Sequence, residues 1–124
     1  MCRVYIPRSF VERADMAYIG LVKTLRYLHT LVIRERISTA TCLLIVYYGT
    51  KHNLKYFHLR RNCVILRNEY RQYIFNELGD NNEQMHIWLE KNCRKYNHVE
   101  EAVSLLFERR WKMLSDWEYN QIRV

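Results

Sequence analysis

Three segments of the chain carry the same helix-start grammar. Ser9-Phe10-Val11-Glu12, Asn97-His98-Val99-Glu100 and Ser115-Asp116-Trp117-Glu118 each set a capping side chain three positions before a glutamate. In such a box the Ser or Asn oxygen accepts a backbone N–H of the first turn, and the Glu carboxylate reaches back to the N–H of the cap. Two donors that a helix start leaves orphaned are thereby satisfied. With three glycines and one proline in 124 residues, little interrupts the helices so opened. The sequence therefore predicts an all-α fold, a compact bundle of five or six helices.

The apolar spacing fills in that bundle. After Pro7 and the Ser9 cap, Phe10, Ala14, Ala17, Leu21, Leu25, Leu28 and Val32 recur at helical intervals and predict one long amphipathic first helix. Ala40 to Tyr48 is apolar all round and ends at Gly49, which suits a short buried helix or a buried strand equally. From Leu54 to Leu78, Leu59, Cys63, Leu66, Tyr70, Tyr73 and Ile74 share a helical face that Gly79 terminates, giving a second long helix. The alternative is an α+β fold with a hairpin over residues 41–60, because both stretches hold the branched and aromatic residues that strands prefer. Further helices are expected around Met85, Trp88 and Leu89, around Val99 to Phe107, and from Asp116 onward. No linker, repeat or compositional break divides the chain, so residues 1–124 read as a single helical domain.

An apolar fraction of 49% is enough for a real core at this length. Cys2, Cys42, Cys63 and Cys93 are irregularly spaced and no secretory-type segment opens the chain, which predicts reduced thiols and an intracellular protein of cytoplasm or nucleus. The longest apolar run, Cys42 to Tyr48, is too short to span a bilayer. Net charge is +7, with 14 arginines against 6 lysines, a bias suited to planar contacts with phosphate or carboxylate.

Three constellations carry candidate chemistry. His58-x₄-Cys63 and Cys93-x₄-His98 offer two thiols and two imidazoles in mirrored order, the donor set of a structural zinc site. On a continuous helix, however, a five-residue offset turns His58 and Cys63 about 140° apart, so the sequence expects no cofactor. This His-Cys-Cys-His order resembles the zinc arrangement of lentiviral Vif proteins, and Thr24 to Ile33 resembles that family's elongin-binding box. The resemblance implies a structural zinc and a protein partner. Three departures accompany it: His29 stands at the box's small-residue position, the box precedes the metal motif, and the Cys–Cys interval is longer. Leu25, Leu28 and Val32 serve equally as core positions of the first helix.

The second constellation is basic. On a helix through residues 54–78, Arg60, Arg67 and Arg71 would align within about 40°, with Tyr56 alongside, a stripe suited to phosphate contact and base stacking. Lys51-His52, Arg94-Lys95 and Arg109-Arg110 would extend it if the fold brought them together. The same arginines would also serve as a solvated edge whose stems cover the core. The third is aromatic: ten tyrosines and three tryptophans exceed what such a core readily buries. Trp111, Trp117, Tyr119 and Arg110 thus form a candidate protein-binding or homodimer surface, since these residue types dominate binding hot spots.

No Gly-rich phosphate loop, nucleophile elbow or His-Glu-x-x-His motif is present, and no third group orients a Cys–His pair, so the sequence predicts no enzyme. The expected function is that of a small intracellular helical adaptor acting through protein–protein interaction, in the size class of viral host-directed factors, including helical folds of the Bcl-2 type. The alternative is a nucleic-acid-binding protein using the arginine stripe.

Overall fold

A computed structural model describes residues 14–70 and 82–122. The Ser9 box, Arg71, Gly79 and the start of the first predicted helix lie outside the described residues. In chain order the described elements are α1 (Asp15–Thr24), β1 (Thr30–Val32), β2 (Ile37–Ser38), α2 (Thr39–Thr50), β3 (Tyr56–His58), β4 (Val64–Ile65), α3 (Glu83–Asn92), α4 (Tyr96–Phe107) and α5 (Asp116–Asn120), with a 3-10 turn at Arg61–Cys63. The fold is therefore mixed α+β and not the all-α bundle expected. Nor does the predicted hairpin over 41–60 form, because the strands pair in parallel with partners far along the chain.

The first predicted long helix stops at Thr24, ahead of a branched run, and over residues 54–70 the second is replaced by β3, the 3-10 turn and β4. Leu25 leaves α1 in extended backbone, and the run Thr30-Leu31-Val32-Ile33 is stiff at χ1 and packs better on a pleated surface than in a helix. β1 lies parallel to β3, with Thr30 opposite Tyr56 and Val32 opposite His58, and the Ile33 N–H donates to the His58 carbonyl at 2.9 Å. β2 lies parallel to β4, with Ile37 opposite Val64. Between the two pairs the second segment carries one residue more than the first, and the turn at Arg61–Cys63 absorbs it. Parallel strands need a crossover, and α2 supplies it.

The all-apolar stretch is thus a helix, buried at every position of Thr39–Thr50 except Tyr47 and Thr50. α1 contributes Ile19 and Val22 to the core around it, α3 contributes Leu89, α4 contributes Val99 and Val103, and β3 contributes Phe57. The chain leaves α2 through Gly49, where a Cβ would stand 2.5 Å from Leu54 Cδ2.

A buried helix start must find partners for its polar groups from elsewhere in the fold, and the start of α2 is tied to three other segments, at Asp15, Arg67 and Cys93. Asp15, fully buried at the head of α1, accepts the Ser38 N–H at 3.1 Å and the Thr41 hydroxyl at 2.6 Å. Ser38 Oγ accepts the Thr41 N–H at 3.1 Å, and the Ala40 N–H reaches the Arg67 carbonyl at 3.2 Å. Thr39 Oγ1 donates to the Cys93 carbonyl at 2.7 Å and accepts the Arg67 N–H at 3.2 Å. The first turn of α2 holds no acid of its own, so Asp15 supplies the negative charge that a helix N-terminus favours.

The later helices were anticipated in place, but their ends only in part. Ser115 and Glu118 form the predicted capping box of α5, and Asn82 caps α3 through the Gln84 N–H at 2.9 Å. Asn97, by contrast, is no cap: α4 begins at Tyr96, and Glu100 accepts the Met113 N–H at 2.9 Å instead. No helix among the described residues is long and apolar enough to cross a membrane.

Replacing Thr41 by Val keeps the shape of the side chain but removes a hydrogen bond from the buried Asp15 carboxylate. The loss expected in urea denaturation is about 2 kcal/mol with an unchanged m-value, and a Thr41→Val variant as stable as the parent would contradict this account of the helix start.

Candidate nucleic-acid interface

The extended segment around β3 organises the surface. One edge pairs with β1, so alternate carbonyls at Lys55, Phe57 and Leu59 face the other way. Three unlike donors from the stretch after α4 meet them: the Arg109 guanidinium at the Lys55 carbonyl, the Trp111 indole N–H at Phe57, 2.8 Å, and the Leu114 N–H at Leu59, 3.0 Å. Arg60 and Leu114 form a parallel bridge there. The outward N–H groups of Trp111 and Met113 donate to Ser104 Oγ and Glu100 Oε2, each at 2.9 Å, so α4 side chains close this edge against further strands.

What delivers Arg109 is the end of α4. Glu108 is left-handed at φ 58°, its N–H reaches the Leu105 carbonyl, and the Arg109 N–H reaches Ser104, the hydrogen-bond pair of a Schellman stop. The chain reverses there, and the Arg109 guanidinium settles over the rings of Phe107 at 4.8 Å and Tyr56 at 5.1 Å.

Two loops meet at the same end of β3. The His29 carbonyl accepts the N–H groups of Lys55 at 2.9 Å and Tyr56 at 3.1 Å, and the Asn53 amide donates to the Arg26 carbonyl at 2.8 Å. The His29 and Tyr56 rings lie 5.1 Å apart. Around them Arg26, Lys51, His52, Lys55 and Arg109 are exposed, Tyr56 is 47% exposed and Tyr27 88%. A shallow cleft of about 470 Å³ opens along Thr24–Leu28. No acidic residue occurs in either loop. Burial and the nearby Arg109 charge hold the His58 imidazole below its ordinary range.

The predicted site residues scatter when placed on this frame. Tyr56 is at the basic rim, but no α-helix runs through residues 54–70 to align the arginines: Arg60 is buried at the β3–Leu114 bridge, Arg67 is exposed beyond β4, and Arg71 lies outside the described residues. Trp111 is buried, its ring stacked 5.8 Å from Phe57. Tyr119 is half-buried with Arg60 over its ring at 5.0 Å. Trp117 is 72% exposed on α5, and Arg110 is exposed beside α4. Of the zinc candidates, Cys63 is disulfide-bonded, Cys93 is a buried free thiol raised by burial, and His58 and His98 are half-buried. Among the described residues no three His, Cys, Asp or Glu side chains converge on a point that could hold a metal. The disulfide corrects the expectation of four reduced thiols, since spacing alone does not reveal pairing.

Spacing alone does not mark Arg26, Tyr27, His29, Lys55 or the role of Arg109 as parts of one surface. A signal was present: from Arg36 to Asn68 there are Arg36, Lys51, Lys55, Arg60, Arg61 and Arg67 and not one acid. No family model, curated protein or solved structure matches this chain.

Trp111→Phe keeps the stacked ring but leaves the buried Phe57 carbonyl without its donor. Thermal or urea unfolding is expected to register a loss of about 1–3 kcal/mol, while an unaltered midpoint would show that the indole N–H does not close this edge.

Proposed function

We propose that this chain is a non-enzymatic single-stranded nucleic-acid-binding protein that works through the rim around β3. The observation that carries the reading is the convergence of Arg26, Lys51, Lys55 and Arg109 with the exposed rings of Tyr27 and Tyr56, where the two loops over 25–29 and 51–55 hold no acid. Proteins that hold single strands without sequence readout combine a cationic track for phosphates with aromatic faces on which bases stack. Here the loops are pinned to each other by backbone hydrogen bonds, so the rings and charges are presented with little left to order. The exposed rings favour a single strand over a duplex, whose bases offer no free face.

The test is fluorescence anisotropy of labelled oligothymidylate and oligouridylate across a KCl series. Four basic groups predict a log–log slope of about −3, at about −0.7 per phosphate engaged. Tyr27→Ala, at a position with no structural partner among the described contacts, is expected to weaken binding by roughly 1–3 kcal/mol. Absence of binding at low salt, or binding indifferent to Tyr27 and to Lys55→Ala, would refute the reading.

A second reading, protein–protein adaptor, is favoured by one specific feature. Leu105 stands 80% exposed in a groove of about 980 Å³ between α4 and the returning Arg110–Lys112 stretch. An exposed leucine flanked by Glu101 and Arg110 suits a partner helix, or a second copy, that buries an apolar side chain within a charged margin. Sedimentation of Leu105→Glu against the parent checks it: loss of a dimer or of partner capture supports the groove, and identical behaviour dismisses it.

A further inference from the structure

Arg60 is the least expected side chain in the fold. It is buried to 5% exposure, and its closest anion, Asp116 Oδ1, is 3.8 Å from Nη1. Its Nε is shut off from solvent and has no hydrogen-bond partner. A guanidinium carries five donors in a fixed fork built for oxyanions, and a buried charge is tolerated when those donors are filled. Here Nε is unfilled, the Asp116 carboxylate lies beyond hydrogen-bond reach of Nη1, and the ring of Tyr119 packs over the guanidinium at 5.0 Å. Arg61, next in the chain, is occupied over the Tyr96 ring at 4.6 Å.

What covers Arg60 is α5, and α5 has little hold on the rest of the molecule. None of its five residues is buried. Asn62 Nδ2 donates to Asp116 Oδ2 at 3.0 Å, and the Tyr119 hydroxyl donates to the Ile33 carbonyl at 3.3 Å. Glu118 does not compete for Arg60: it is bound to Lys112 at 2.7 Å, and that contact with the Ser115 N–H draws its carboxyl down to about 2. The place itself is informative. Ile33, Arg60 and Leu114 mark the level where β1, β3 and the Leu114 bridge all end in the same direction, and the carboxyl ends of parallel strands are where α/β sheets seat their ligands.

We infer that Arg60 is a phosphate-binding arginine, and that α5 is a displaceable cap whose Asp116 carboxylate stands where the phosphate would bind. In the capped state Asp116 neutralises the buried charge at a distance. An incoming phosphate group takes the guanidinium fork in hydrogen-bonded geometry, Asp116 moves into solvent, and Trp117 moves with it. The inference stands apart from the rim, which lies at the other end of β3, and the two sources of that phosphate chemistry, a free oxyanion and a diester of a bound strand, are separated by the titrations below.

The test follows the Arg60 Nε–H resonance and tryptophan fluorescence while the full chain is titrated with inorganic phosphate and, separately, with oligothymidylate. Either titrant should shift that resonance and change the emission, and Trp117→Phe should abolish the emission change. Response to inorganic phosphate identifies a free-oxyanion site, and response to the oligonucleotide alone identifies a phosphodiester site. Asp116→Asn, which keeps the acceptor for Asn62 at an exposed position, is expected to tighten binding about tenfold by removing the competing charge. Tyr27→Ala should leave the phosphate response intact, which separates this site from the rim. An Arg60 Nε–H resonance that ignores both titrants, or equal affinity with and without the Asp116 charge, overturns the inference.

Discussion

The carboxylate of Asp15 at the start of α2 is the contact on which the rest of the arrangement depends. α2 is apolar around its whole circumference and must be buried, yet burial strips water from the N–H groups of its first turn. Asp15 comes from another helix and sits 23 residues upstream of the Ser38 N–H that it accepts. Through Thr41 it also touches Tyr70, whose hydroxyl lies 2.8 Å from Thr41 Oγ1. A single buried carboxylate therefore fixes α1, the β2–α2 junction and the segment after β4 relative to one another. With α2 fixed, the two extended segments on either side of it can pair only in parallel.

That parallel pairing leaves an open edge on β3, and the chain closes it with side chains. Arg109 and Trp111 fill two carbonyls that a regular third strand would have filled with backbone N–H groups. This use of side chains explains where the surplus aromatic and basic residues go. Lys23 lies over Tyr48, Lys51 over Tyr47, Arg60 over Tyr119, Arg61 over Tyr96 and Arg109 over Tyr56. A cation on a ring face shields apolar area while keeping its charge near solvent. Five of the cations are thus part of the packing, Lys51 and Arg109 at the rim among them, while Arg26 and Lys55 in the loops around Tyr56 are exposed with no ring beneath them among the described contacts.

Legibility in the sequence tracks how local each interaction is. The Ser115 box was readable because cap and glutamate are three residues apart. The Ser38 cap was not, because Ser38-Thr39-Ala40-Thr41 holds no acid and its carboxylate arrives from α1. α2 was readable as a buried element but not as a helix, since periodicity is silent when every position is apolar. Thr30–Val32 and Tyr56–His58 are too short to show alternation, and the apolar spacing of Leu25, Leu28 and Val32 imitated a helix across a real break. For the candidate site, Tyr56 stands at the rim, while Arg60 and Arg67 share no helical face because residues 54–70 hold no α-helix. Trp111 was misjudged for a related reason: it belongs to an extended stretch, where its ring turns inward onto Phe57. The acid-free run from Arg36 to Asn68 was the one long-range signal in plain view.

Native-state hydrogen exchange, read residue by residue, tests the keystone role of Asp15 most directly. Proteins open in cooperative units whose free energies range from near zero to that of global unfolding. If the buried helix start organises the fold, the amides of Ser38, Ile33 and Leu114 exchange only through global unfolding, with the free energy found by denaturant titration. The amides of Tyr119 and Gln121 in the α5 cap then exchange through a smaller local opening. A Ser38 amide that exchanges as readily as those of α5, while Ile33 and Leu114 stay protected, would show that the fold holds together without the Asp15 contact.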